Sequence, residues 1–288
     1  MNETAKIGIG GHITSWHPGS AENEDLISVE RARQLAATLD LSDAFTDGDA
    51  LPLLWHWAYF LDWPQTGDLG PDGHPRDGQF LPPIPNRRRM FAGGRITVSS
   101  PLEIGESAVR RSTVARTTVK VGRTGEMLFV TVRYEYRQGG HVCMVEEQDL
   151  VYRSGEAVAA AFDSGVESLG LPAEPWTAHP RTHPVLLFRF SALTGNAHRI
   201  HYDEAYTTGT EGYPGMVVHG PLLAVYLAEL VREHAPRRAV EDFEYRFTRP
   251  VFVGDEIRVT GRPVEGGADL AIWSRGSTAH ATGKVRYR

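Results

Sequence analysis

The sequence predicts an α+β protein made of two units, each a helix wrapped by its own curved antiparallel sheet, with the two sheets joined. Three observations predict this. Alternating, β-branched runs cluster twice, in residues 95–153 and again in 243–288. A buried apolar helical segment precedes each cluster, at 51–61 and at 219–233. A Pro-x-x-x-Gly-acid signature then introduces a long strand in each half, Pro101 to Glu106 and Pro250 to Asp255, and the two halves close on similar Val-Tyr-Arg and Val-Arg-Tyr-Arg endings. Matches in the same order favour an internal duplication. The expected division is 1–156 for the first unit, 157–184 for an Ala/Gly/Pro-rich linker and 185–288 for the second.

Residues 1–24 are polar and read as an extended lead-in. Residues 27–39 place Leu35, Ala36 and Leu39 on one side at helical spacing, with Ser28 as cap and Glu30 in the first turn. Residues 51–61 are apolar on nearly every side, which predicts a short, fully buried helix. A Gly/Pro/Asp-rich loop occupies 62–85, too long for a mere connector; such loops in compact proteins are usually functional. Strands are expected at 96–99, 107–120, 127–137 and 141–153, broken at Gly105, 122–125 and Gly139-Gly140. In the second half a helix over 219–233 stops before Pro236, and strands are expected after it at 243–247, 256–263, 270–274 and 278–288.

The totals exclude several classes. The chain has 288 residues, 41% hydrophobic and 23% charged, so a buried core is expected throughout. A net charge of −6 with no basic block beyond Arg87-Arg88-Arg89 argues against nucleic-acid binding. The single cysteine, Cys143, rules out an intrachain disulfide and lies in an apolar run, where a buried inert thiol is expected. No basic-then-apolar leader and no stretch near the roughly 18 apolar residues of a membrane span are found, so the expected location is cytoplasmic. Gly8 to Gly11 lacks the dinucleotide fingerprint, and no Gly-x-Ser-x-Gly elbow is present.

Reactive residues concentrate in 190–219. An amide, two imidazoles, a guanidinium and a phenol fall within Asn196, His198, Arg199, His201 and Tyr202. Gly212 to Pro221, with Gly215 and His219, lead directly into the second helix. Gly220 and Pro221 then stand in its first turn, where free N–H groups and the positive dipole end stabilise an oxyanion such as a thioester enolate. His201 supplies a group of near-neutral pKa to activate water, and Asn196 is placed to hold that water. This set suits addition of water across a conjugated double bond. Three histidines, His198, His201 and His219, have a spacing a metal ion accepts, but no carboxylate or cysteine completes the set and no metal is expected.

These segments resemble the hydratase-2 motif of MaoC-like (R)-specific enoyl-CoA hydratases. Gly195, Ile200, His201 and Val218-His219-Gly220 match the motif; Asn196 stands in place of its catalytic aspartate, His198 in place of asparagine and Arg199 in place of proline. Over residues 50–288 the chain is more similar to double-hot-dog members of that superfamily with a dehydratase-like N-terminal half, among them mesaconyl-C4-CoA and itaconyl-CoA hydratases and type 2 3-hydroxyacyl-thioester dehydratases. The resemblance implies a double hot-dog fold, a carbon–oxygen lyase acting on an acyl-CoA or acyl-carrier-protein thioester without a cofactor, and a catalytically silent first half. It implies Asn196, His201 and Gly220 as catalytic positions. His198, Arg199, Tyr202, Gly215, His219, Arg88 and Arg89 are expected to bind substrate, the arginines through a carboxylate or CoA phosphates. The competing readings are a thioesterase using Glu211 and a non-catalytic acyl-binding subunit. A dimer of chains is compatible with the fold and not required by it.

Overall fold

The computed structural model describes residues 8–122, 125–155, 174–275 and 278–288. Ten strands form one antiparallel sheet: β1 (Ala21–Leu26), β2 (Arg87–Val98), β3 (Ser107–Gly122), β4 (Gly125–Gln138), β5 (His141–Ser154), β6 (Trp176–Ala178), β7 (Val240–Phe247), β8 (Arg258–Val264), β9 (Gly267–Trp273) and β10 (Ala281–Tyr287). Their order is β1-β3-β4-β5-β2-β7-β10-β9-β8-β6. Read outward from the central β2–β7 pair, the two halves have the same order, so β2 answers to β7, β5 to β10, β4 to β9, β3 to β8 and β1 to β6. The two Pro-x-x-x-Gly-acid signatures precede β3 and β8, which are equivalent strands. At the join, Gly93 to Thr97 pair with Arg246 to Asp242, and Thr97 Oγ1 donates to Asp242 Oδ1 at 2.7 Å.

The helices are α1 (Ile9–His12), α2 (Val29–Thr38), α3 (Pro184–Thr194), α4 (Glu204–Gly209) and α5 (Gly220–His234). α5 is the core helix. Leu222, Leu223, Val225, Leu227, Leu230 and Val231 are all buried, and each such side chain contributes about 1.5–3 kcal/mol by leaving water. Proline at its second position costs nothing, because that N–H has no intrahelical partner anyway. Trp55 Nε1 donates to Glu229 Oε1 at 2.8 Å, tying α5 to the first half.

The sequence expectations hold for most strands, for α2, for α5 and for the buried thiol of Cys143. Others differ. Residues 51–61 form only the 3₁₀ turn Trp55–Ala58, because Leu54 and Phe60 adopt left-handed backbone (φ 69° and 55°), which no α-helix can contain. The polar lead-in holds both α1 and β1. β2 starts at Arg87, so the arginine triplet is part of the sheet. α3 is a helix the sequence pattern did not predict; His183 Nδ1 accepts from Leu186 N, Pro184 opens the helix and Gly195 closes it at φ 61°. Of the expected linker, 157–173 lies outside the described residues and Trp176–Ala178 is β6. Ser28 stands at the start of α2 without a side-chain cap bond. Among the described residues, no helix is long and apolar enough to cross a membrane.

Candidate active site

His201 is built in by backbone contacts on both sides. Ile200 O accepts from Val217 N at 2.9 Å, and Val217 O in turn lies 2.7 Å from His201 Nδ1. A carbonyl can only accept, so Nδ1 carries the hydrogen and Nε2 keeps its lone pair. His201 is 7% exposed. Burial pulls its pKa down to about 4, against the opposing hydrogen bond to Val217. His201 is therefore a neutral acceptor at physiological pH, the state a general base requires.

His219, the residue before α5, stacks on His201 with ring centroids 3.7 Å apart. Its Nε2 is 2.8 Å from Ser191 Oγ, and its Nδ1 is buried with no hydrogen-bond partner among the described residues. Burial first, then the neighbouring His201 and His198, holds its pKa well below the usual histidine range. Gly220 begins α5 beside these rings. A Cβ placed there would sit 3.2 Å from the Phe247 ring, so the helix start is wedged between the histidines and an aromatic wall. Phe247 continues into Phe91 (5.4 Å), and Phe91 into Trp57 (6.2 Å).

The third side of the site comes from the first half. The loop over 62–85 carries Asp72 and His74 to His198, whose ring lies 4.1 Å from His74 and 5.6 Å from His201. The loop is locked in place. Arg199 N donates to Asp72 O, Arg199 Nη1 donates to Pro71 O at 2.9 Å, and a Cβ on Gly73 (φ 88°) would fall on the Ala197 carbonyl. Only glycine fits there, on both steric and conformational grounds. Asp72 Oδ2 lies 2.9 Å from His74 Nδ1. Burial raises the Asp72 pKa, but His74 outweighs it and holds the carboxyl at about 2. His74 is itself pulled down by burial and by the charge of Arg89. His198 falls to about 2 through burial and the adjacent His74 and His201. Among the described residues, Asp72, His74 and His198 are the group whose ligand atoms all lie within 4.8 Å of one another; the set His198, His201 and His219 is not such a group.

The other sequence candidates are distributed differently. Asn196 Oδ1 accepts from His198 N at 3.1 Å, forming a local turn that shapes the motif. Arg199 is employed within the fold: Nε and Nη2 both reach Asp203 Oδ2 at 3.0 and 2.7 Å, and its guanidinium lies 4.1 Å over the Tyr206 ring. Arg88 pairs with Glu211 at 3.3 Å, and Glu211 also accepts from Tyr206 Oη at 2.9 Å, so the carboxylate a thioesterase would need is engaged. The Tyr202 hydroxyl turns back to Ala197 O, and Gly215 faces open space. Arg89 is exposed on β2, and its charge reaches His74 and His198. The sequence does not single out Asp72 and His74 individually, although the excess length of their loop is the signal for them.

Comparison with known proteins decides what this arrangement belongs to. Residues 54–253 match the family model for hydroxyacyl-thioester dehydratase type 2. The chain belongs to this family. It is 47% identical over 252 residues to a mesaconyl-C(4)-CoA hydratase of Chloroflexus aurantiacus, covering 86% of this chain and 88% of that protein. It is 26% identical over 233 residues to the mitochondrial hydroxyacyl-thioester dehydratase type 2 of Schizosaccharomyces pombe, covering 71% and 75%. A crystal structure of a MaoC-like dehydratase from Phytophthora capsici superposes with a TM-score of 0.68 at 14% identity, covering 98% of this chain and 99% of that one. The double hot-dog fold is thereby established, and the protein is an acyl-thioester hydratase or dehydratase, a carbon–oxygen lyase.

Proposed function

We propose that this type 2 dehydratase relative hydrates the 2,3 double bond of a short enoyl-CoA bearing a second carboxylate, the class that includes mesaconyl-C4-CoA. The carrying observation is His201: a buried imidazole with Nδ1 bonded to a carbonyl and Nε2 left as acceptor, beside the Gly220 start of α5, whose N–H has no intrahelical acceptor. His201 takes a proton from water as the water oxygen bonds to the β-carbon. The π electrons move toward the α-carbon and the thioester oxygen, which the Gly220 N–H stabilises. The same proton then passes to the α-carbon. Dehydration is this path reversed, and neither direction invokes a resident cofactor.

Two features support the substrate class. The Gly220–Phe247–Phe91 contact stands across the helix start and favours a short acyl group. Arg89, without an ion-pair partner among the described residues, offers a cation for the distal carboxylate, whereas Arg199 and Arg88 are already paired. The test monitors loss of the conjugated enoyl absorbance with crotonyl-CoA and mesaconyl-C4-CoA. The expected order puts a carboxylated substrate at least tenfold ahead of crotonyl-CoA, with Arg89→Met erasing that preference. Thiol release without hydration, or acyl-CoA binding without turnover, would refute the reading.

A further inference from the structure

The water that adds needs a second hydrogen-bond acceptor besides His201, and the amide at position 196 is already engaged by the backbone. Asn196 cannot take up a proton, and one lone pair of its Oδ1 is already used by His198 N. We propose that His74, oriented by Asp72, is the second catalytic hydrogen-bond acceptor, delivered to the site by the first half of the molecule. The inference rests on the hydratase reading above.

Geometry specifies the tautomer. The Asp72 carboxylate only accepts, so His74 Nδ1 bears the hydrogen and Nε2 presents a lone pair, as His201 Nε2 does. A water molecule between two such acceptors must donate both hydrogens, which turns an oxygen lone pair toward the β-carbon. One hydrogen passes to His201 Nε2 as the C–O bond forms, and from there to the α-carbon. The other stays on oxygen and becomes the product hydroxyl, still donating to His74. Atoms and electrons balance with water as the only co-reactant. His198 neighbours both rings, but among the described residues no hydrogen bond fixes its tautomer, so it lacks the directed lone pair. The groups facing His74 are Asp72, His198, Arg87 and Arg89, and its charge is felt at His201.

The docking of the loop shows that this arrangement is built. Gly73 against Ala197 O, and Arg199 on Pro71 O and Asp203, press Asp72 and His74 onto the motif that carries His201. A structural loop needs none of its polar groups in the site. This one places an Asp–His pair there.

The experiment compares the full-length chain with His74→Gln and Asp72→Asn, each alone and combined with Asn196→Asp, on mesaconyl-C4-CoA and crotonyl-CoA, with circular dichroism to confirm folding. His74→Gln should lower kcat about 10- to 10²-fold, the range for misplacing a reacting group, here the attacking water. Asp72→Asn should cost about tenfold or more and move the acid limb of kcat to lower pH, since the imidazolium loses its carboxylate. Asn196→Asp should restore at least tenfold of the His74→Gln loss by supplying a carboxylate acceptor. A loop that merely packs would give no such rescue and no shifted limb, and either result overturns the proposal. So does stoichiometric metal in the purified protein whose chelation abolishes turnover, because Asp72, His74 and His198 would then be ligands. Active wild type with undiminished variants overturns the His74 role alone; wild type inactive on every enoyl-CoA overturns the hydratase reading, and this role with it.

Discussion

The two halves share a strand order and a starting bridge but part company soon after it. In the second half Val217 bridges Phe252 and the chain enters α5; in the first, Ala50 bridges Glu103 and the chain enters the Trp55–Ala58 turn. Two bulky residues in left-handed backbone, Leu54 and Phe60, end any helix there, at about 1–2 kcal/mol each. Beyond that turn, the 62–85 loop crosses to the other half's histidines. The first half therefore has a short turn where the second has the start of α5, and its chain continues to the neighbouring histidines. Its interior is polar in an unusual way. Glu146, fully buried on β5, accepts from Trp57 Nε1, Tyr136 Oη, Tyr245 Oη and Gln148 Nε2, with His56 Nε2 at 2.9 Å. Its carboxyl stays below the usual range because His56 and these donors outweigh the burial that raises it. One half bonds its buried His201 to a backbone carbonyl, and the other holds its buried His56 against a carboxylate.

The largest effects should separate these two histidines. His201→Ala should cut kcat about 10³-fold, near 4 kcal/mol of transition-state stabilisation, and cost less unfolding free energy than the loss of Glu146. Glu146→Ala should do the opposite, since it orphans His56 and four further donors, one of them from β7 of the other half. The expected loss is about 3–5 kcal/mol in urea unfolding, with activity per folded molecule retained. Equal losses of activity and stability in both variants would erase the division of labour between the halves.

Next in size is the response to acid. The unfolded chain protonates His201 near its ordinary pKa of about 6.5, but the folded protein does so only near 4. The unfolded state thus binds the extra proton between those values, and stability rises with pH across that window. Acidifying from pH 6.5 to 4 should cost about 3 kcal/mol from this group. His219 and His198 act in the same direction. Thermal melts at pH 7 and pH 4.5 measure it, and a His201→Gln variant should show a visibly shallower dependence. An unchanged dependence would mean that the ring is already accessible to protons.

Much of this is legible in the sequence and some cannot be. The α5 pattern, the strand alternation and the paired Pro-x-x-x-Gly-acid signatures are local features, and each reports its own element. His201 and Gly220 are legible because the residues that position them, Val217 and the helix start, lie within twenty positions. Trp55–Ala58 reads as part of a helix because apolarity records burial and not backbone hand; nothing in Leu54 announces a left-handed φ. Asp72, His74 and Arg199 depend on contacts across more than a hundred residues. Composition flags the 62–85 loop, but only the packing of Gly73 on Ala197 shows where it goes.

The smallest predicted effect concerns the wall that joins the halves. Phe247 on β7 and Phe91 on β2 meet edge to face next to Gly220, at the seam of the two sheets. If the seam sets acyl length, Phe247→Leu should open space beyond the thioester without touching His201. A pocket change of this size alters discrimination by about 1–3 kcal/mol, or roughly 10- to 200-fold between chain lengths. Crotonyl-CoA turnover should stay within a few-fold of wild type, while hexenoyl- and octenoyl-CoA gain. Phe91→Leu should act alike, and the double variant should fall short of the sum because the rings share one contact. Should neither variant change the profile, the acyl chain leaves the site on another side, and the join would be a structural seam only.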